Sequence, residues 1–272
     1  MSIGDLSPRI RAAAGYLLCL ALVPIYVNMF PIWKYLSTRF GEDIFIYLPL
    51  VLLVLFIGGI LGIWFKAAKR TVPTNKASLA LGLLFCCLGL LISDPEFPVK
   101  RVHVVEYAFL CLVARYAMSH FLCGLPLLFF SALFCTLLGI HDEFLQGLHP
   151  ARTFGLRDMG VNLLGSFGGG LIWHSLHLFS NHQTSTIKST DVCFVCWLSV
   201  SVLMLVWPAQ YYRGLVVEMW VALPLLAAAA YYFLYRNKFS PELSHGITVL
   251  ATTAIALGAY PLLTRIPGIV FY

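Results

Sequence analysis

Two groups of polar residues interrupt an otherwise apolar chain, and both have side chains suited to work on a phosphate. The first is Lys100, His103, Glu106 and Tyr107. Spacings of three and four put Lys100, His103 and Tyr107 on one helical face, with Glu106 beside His103. The second is Asp142, Glu143, Gln146, Arg152, Asp158 and Asn162. If a helix continues through 141–146, Gln146 lies one turn from both carboxylates. Asp158 and Asn162 share a face at the start of a further helix, which Asp158 could cap. In such a set Lys100 and Arg152 would hold a phosphate, Arg152 bidentately. Asp142 or Glu143 would serve as general base, or hold a divalent cation such as Mg²⁺ through oxygen ligands. His103 would shuttle a proton near neutral pH. The catalytic candidates are therefore Asp142, Glu143 and His103. The substrate-binding candidates are Lys100, Glu106, Tyr107, Gln146, Arg152, Asp158 and Asn162. No Ser or Cys stands in a triad arrangement, so no nucleophile is assigned. For the first group a plainer account also stands: an interfacial belt in which Lys snorkels and Tyr anchors.

The elements that must position these residues follow from composition. The chain of 272 residues is 60% hydrophobic and 11% charged, with mean hydropathy +0.86. A soluble domain carries about 25% charged and 45–50% apolar residues. Such a chain has too little polar surface for a soluble globule, and its solvent is lipid. The formal charge of +6 comes from Lys and Arg placed between apolar runs, not from a continuous stripe. That pattern fits positive-inside anchoring and argues against nucleic acid as a partner. All eight cysteines lie in or beside apolar runs, as small hydrophobes. Cys193 and Cys196 have CxxC spacing, but no second pair completes a zinc site.

With about 20 apolar residues needed per crossing, nine spans are expected: 14–30, 44–65, 78–93, 102–118, 121–140, 159–179, 192–207, 217–235 and 247–263. The first is read as an uncleaved helix, since no clear cleavage site follows it. The fold class is all-α, a polytopic integral membrane protein. Its three parts are 1–77 with two spans and a basic loop, 78–178 with four, and 179–272 with three. The segment 94–101 breaks the helix with two prolines, and 141–158 reads as a long polar hairpin. The basic loop of Lys66, Lys69, Arg70 and Lys76 places the N-terminus in the cytoplasm, with ten Lys and Arg inside against eight outside. The two polar groups, two crossings apart, then share the extracytoplasmic face. Gly165 and Gly169 have the G-x-x-x-G spacing of closely packed helices. His174 and His177 lie nearer the opposite face and read as satisfied or interfacial histidines.

The two groups, in order, resemble the VanZ-like family, named for a protein linked to teicoplanin resistance. Its pattern of Lys-x-x-His-x-x-x-Tyr is met by Lys100, His103 and Tyr107. Its Asp-Glu-x-x-Gln, Pro-x-Arg, Asp, Asn, Gly series is met by Asp142, Glu143, Gln146, Pro150, Arg152, Asp158, Asn162 and Gly165. The resemblance covers about 100 residues, counted from the span boundaries above, and implies a four-helix core near the cell envelope. It names no reaction. Three readings stay open: an enzyme acting on a phosphate-bearing lipid or lipid-linked precursor, a non-catalytic binding or transport module for an anionic head group or glycopeptide-type compound, and an envelope scaffold. The lipid bilayer is the partner in all three.

Overall fold

In lipid each backbone N–H and C=O needs a partner within the chain, and helices supply it. The computed structural model describes residues 7–68, 74–149, 152, 154–180 and 186–272. Pro150 of the second polar group, Lys69 and Arg70 of the basic loop, and 181–185 of the Ser/Thr-rich loop lie outside the described residues. The described residues are all-α, without strands. The helices are α1 (Pro8–Val27), α2 (Met29–Phe40), α3 (Ile44–Ala68), α4 (Lys76–Ile92), α5 (Val102–Met118), α6 (Gly124–Gly147), α7 (Leu156–Ser175), α8 (Ser189–Ala209), α9 (Leu223–Leu234), α10 (Ser244–Gly258) and α11 (Tyr260–Leu263). Single 3₁₀ turns lead into α5, α9 and α10.

Among the described residues, five helical stretches are long and apolar enough to cross a membrane: Pro8–Val27, Ile44–Lys66, Gly124–Gly147, Ser189–Tyr212 and Pro241–Leu263. The chain is a membrane protein. α4 and the stretch Met219–Leu234 are apolar but shorter. Polar residues of α5 and α7 face other helices: His103, Arg115, Asp158 and Asn162 are all buried.

Pairwise contacts set the direction of each helix. Tyr16 of α1 packs on Phe134 of α6 and bonds His245 of α10, while His141 further along α6 bonds Thr253 and Tyr260. α1, α6 and α10 therefore run parallel. α5 and α7 run parallel to each other and opposite to α6, because Tyr107 meets Asp142 whereas Cys111 meets Ser131. α4 is antiparallel to α7, with Gly82 beside Gly168 and Gly89 beside Leu164. α9 is antiparallel to both α8 and α10.

At the centre is α7, packed on α4, α5 and α6. A Cβ on Gly165 would stand 2.9 Å from the Val104 carbonyl oxygen, and one on Gly169 2.6 Å from the Ala108 Cα. Backbone touches backbone along this line, as the spacing predicts.

Three local expectations change. The fifth span does not end at 140: α6 continues to Gly147, so His141 to Gln146 are helical rather than hairpin. Nothing in 141–146 breaks a helix, and Phe144 is held by Phe154, Tyr260 and Phe271. The segment read as a loop after the first span contains α2, which buries Trp33 and exposes Ile32, Tyr35 and Phe40. Asp158 does not cap α7. Gly155 stands at the cap without a side-chain bond, and the Asp158 carboxylate turns to Lys100 instead.

Candidate functional site

The first polar group lies on the turn Pro98–Arg101 and the first turns of α5. The second lies on the last turns of α6, the connection after it and the first turns of α7. The parallel and antiparallel packing above brings these ends together on one face. Lys100 Nζ lies 2.8 Å from Asp158 Oδ2 and 3.9 Å from Asp94 Oδ2. Arg157 also reaches Asp94, at 3.5 Å. Tyr107 donates its hydroxyl to Asp142 Oδ2 at 2.8 Å. Gln146 donates from Nε2 to Asp142 Oδ1 at 3.0 Å and to Glu143 Oε1 at 3.1 Å. Its own carbonyl oxygen accepts from Arg152, and Arg152 also donates to the Val27 carbonyl at the end of α1, at 3.2 Å. Glu143 Oε2 accepts the Gly155 backbone N–H at 3.1 Å, satisfying one donor at the start of α7. His103 Nδ1 is 3.1 Å from Glu106 Oε2, within ion-pair reach but off the line of a hydrogen bond.

A cavity of about 220 Å³ opens beside this network. Lys100, His103, Glu106, Gln146 and Arg152 supply its polar wall. Tyr26, Met29, Trp33 and Phe97 supply much of its apolar wall. Ten residues were expected at a site, and these five reach the cavity. Asp142, Glu143, Tyr107, Asp158 and Asn162 do not line it. Both oxygens of Asp142 and both of Glu143 already accept hydrogen bonds. They hold Gln146, Tyr107 and the start of α7 in place. Asn162 donates to the Gly139 carbonyl at 3.3 Å, and its Oδ1 is buried without a partner.

This occupancy bears on the divalent cation considered for Asp142 and Glu143. Among the described residues no three His, Cys, Asp or Glu side chains are placed to share a metal. Asp142 and Glu143 each spend one hydrogen bond per carboxylate oxygen on Tyr107, Gln146 and Gly155, and no third such side chain joins them in a cation site among the described residues. The cysteines are free thiols, buried at 19, 86, 111 and 135 and exposed at 87, 193 and 196.

Sequence reasoning missed the apolar wall. Met29 and Trp33 are one turn apart on α2, a spacing visible in the sequence. Nothing in it ties them to a site 70 residues on, because that link is made only by the fold. A second, more apolar groove of about 580 Å³ runs between α1, α6 and α10, over Leu20, Val23, Leu138, Leu145, Thr252 and Ala256. On α6 the groove ends at Leu145, and the next residue, Gln146, lines the polar cavity.

At the other end of α5, Arg115 is fully buried. Its Nε donates to the Leu178 carbonyl at 2.8 Å and one terminal nitrogen to Ser180 Oγ at 2.7 Å. The residues that bring these acceptors close, His177 and Phe179, adopt left-handed φ of 54° and 57°. His174 sits nearby with Nδ1 buried and unpartnered.

Compared with protein-family models, curated proteins and solved structures, the chain matches none.

Proposed function

We propose that this chain is a VanZ-like, multi-pass protein of the cell membrane whose cavity receives and acts on the phosphate-bearing head group of a lipid or lipid-linked envelope precursor. The observation that carries the reading is the convergence of Lys100, Arg152, His103 and Glu106 on one small cavity at a single end of the helix bundle. Two cations there complement a phosphate, and Arg152 is held in position by Gln146 and the Val27 carbonyl. In this reading the proton-handling pair is His103 with Glu106, which face the cavity. Asp142 and Glu143 become positioning residues. His103 takes the proton of an attacking hydroxyl or water as its oxygen bonds to phosphorus, the P–O bond to the leaving group breaks, the leaving oxygen takes that proton from His103, and Lys100 and Arg152 carry the charge that builds on the phosphoryl oxygens. The groove along α1, α6 and α10 supports a lipid substrate. Its length on α6, from Phe134 to Leu145, is about 16 Å at 1.5 Å per residue, close to half of a ~30 Å hydrocarbon core.

The helix directions support nine crossings. In that count α1, α6 and α10 are the first, fifth and ninth, and odd-numbered crossings must run the same way, as these three do. α5 and α7 are the fourth and sixth and run together. α4 to α7 then form the VanZ-like core, with the N-terminus cytoplasmic and the cavity facing outward.

A second reading is binding or transport without turnover, favoured by the buried polar residues Asn162, Ser166 and Arg115, which lie along α7 and α5 between the site and the opposite end of the bundle. One experiment separates the two. Protein in nanodiscs is incubated with phosphate-bearing envelope lipids, with and without Mg²⁺, and the head groups are followed by mass spectrometry. Turnover lost in His103→Gln and Arg152→Ala supports the enzyme. Retention of one lipid without product, abolished by Arg152→Ala, supports the binding module. Neither effect would sink the head-group reading and leave a scaffold.

A further inference from the structure

The seam where α5, α6 and α7 meet is polar from one end to the other. On α5 the residues His103, Tyr107, Cys111 and Arg115 recur every four positions. On α7 Asp158, Asn162, Ser166, Gly170 and His174 do the same. α6 adds Asp142 near one end and Cys135 and Ser131 further along. Tyr107 bonds Asp142, and the Cys111 thiol reaches Ser131 Oγ at 3.9 Å, so the side chains do face one another.

This line also holds a run of unsatisfied buried atoms. Asp158 Oδ1, Asn162 Oδ1, Ser166 Oγ, Arg115 Nη1 and His174 Nδ1 all lack hydrogen-bond partners. Asn162, Ser166 and Arg115 are at most 1% exposed. Orphaned polar groups in a membrane interior are costly, and ordered water is the usual remedy. The spacing suits water. Four residues of helix rise about 6 Å, twice the ~2.8 Å of an O–H···O bond, so one water bridges each step. Of Gly165, Gly168, Gly169 and Gly170, only Gly170 would accept a Cβ without overlap: the added methyl would make ordinary contact, 3.4 Å from Cys111 Sγ and Ala132 Cβ and 3.8 Å from the Leu128 carbonyl. From Asp158 to His174 the line covers about 24 Å of helix against a ~30 Å hydrocarbon core.

We propose that this seam carries a file of water molecules that relays protons across the membrane, between the His103–Glu106 cavity and the Arg115–His174 end. A proton taken up at one end hops along the waters held by Ser166 and Asn162, and a proton leaves at the other; no bond other than O–H and N–H changes. The titratable and charged groups facing the path are Lys100, His103, Glu106, Asp142, Glu143 and Asp158 at the cavity end, Tyr107, Cys111 and Cys135 between, and Arg115, His174 and His177 at the other end. The proposal does not depend on the head-group reading.

The test uses the full chain in proteoliposomes with a trapped pH dye and a valinomycin-clamped potassium gradient. Proton flux above that of protein-free vesicles is expected. Gly170→Ala adds a methyl on the seam without overlap, and Ser166→Ala removes one water ligand; each should abolish the protein-dependent flux while the unfolding temperature holds. Flux equal to protein-free vesicles overturns the proposal. So does native flux in Gly170→Ala and Ser166→Ala together, which would make the seam a packing device. Were Gly170→Ala to unfold, Ser166→Ala alone decides in the same two directions.

Discussion

The Tyr107 hydroxyl donates to Asp142 Oδ2 at 2.8 Å, joining α5 to α6 between the two polar groups of the chain. Both residues are fully buried. Tyr107→Phe keeps the ring and removes the donor, leaving one Asp142 oxygen unpaired. A loss of about 1–3 kcal/mol in stability is expected, read by thermal unfolding in nanodiscs. An unchanged unfolding temperature would show that this bond does not hold the two helices.

Lys100 and Asp158 form the other cross-link. Lys100→Met strands a carboxylate whose side chain is only 5% exposed. Asp158→Asn in the same chain should recover part of the loss. The Lys100 side chain is 30% exposed, so solvent screening puts the coupling toward the low end of about 0.5–3 kcal/mol. A double-mutant cycle measures it, and strict additivity would count against the pair.

Arg152→Ala should weaken retention of a phosphate-bearing lipid ten- to a hundredfold, corresponding to about 1.5–3 kcal/mol for a charge-assisted bond. Arg152→Lys should restore only part, because an ammonium lacks the planar fork that reaches both Gln146 and the Val27 carbonyl. Native mass spectrometry of the three proteins decides the order.

Two neighbouring glycines should behave differently. Gly169→Ala puts a methyl 2.6 Å from the Ala108 backbone and should cost about 1–3 kcal/mol. Gly170→Ala meets nothing closer than 3.4 Å and should be near neutral. Equal effects in chemical denaturation would mean the α5–α7 contact is looser than described.

Single cysteines placed at 100 and 152, in a background without native cysteines, should react with an impermeant maleimide from the same side of intact vesicles. Labelling from opposite sides would divide the cavity and remove the site.

Much of this was legible in the sequence, for identifiable reasons. The apolar runs mark helices because lipid leaves the backbone no alternative. The i, i+4 spacing of Gly165 and Gly169 announces a backbone contact before any coordinates. The polar groups were visible as interruptions, and the two do meet. Their internal division of labour was not visible. Asp142 and Glu143 attract notice as adjacent carboxylates, yet their oxygens are engaged by Tyr107, Gln146 and Gly155, donors drawn from three separate stretches of chain. α2 was missed because its twelve residues are too few to cross a membrane and, with Lys34, Ser37, Thr38 and Arg39 among them, read as a connection. The seam was missed for a similar reason: Cys111, Ser131 and Ser166 are small residues that look like packing until their orphaned neighbours are placed beside them.

The bare backbone contact between α5 and α7 has a mechanical meaning. Where no side chains lie between two helices, no layer of rotamers can rearrange to let one slide past the other. The pair is a rigid beam, and the wall of the cavity that α5 carries keeps its shape. The opposite wall, where Tyr26, Met29 and Trp33 project from the end of α1 and from α2, meets that beam through side chains instead: the Tyr26 hydroxyl donates to the Glu106 carbonyl at 3.3 Å.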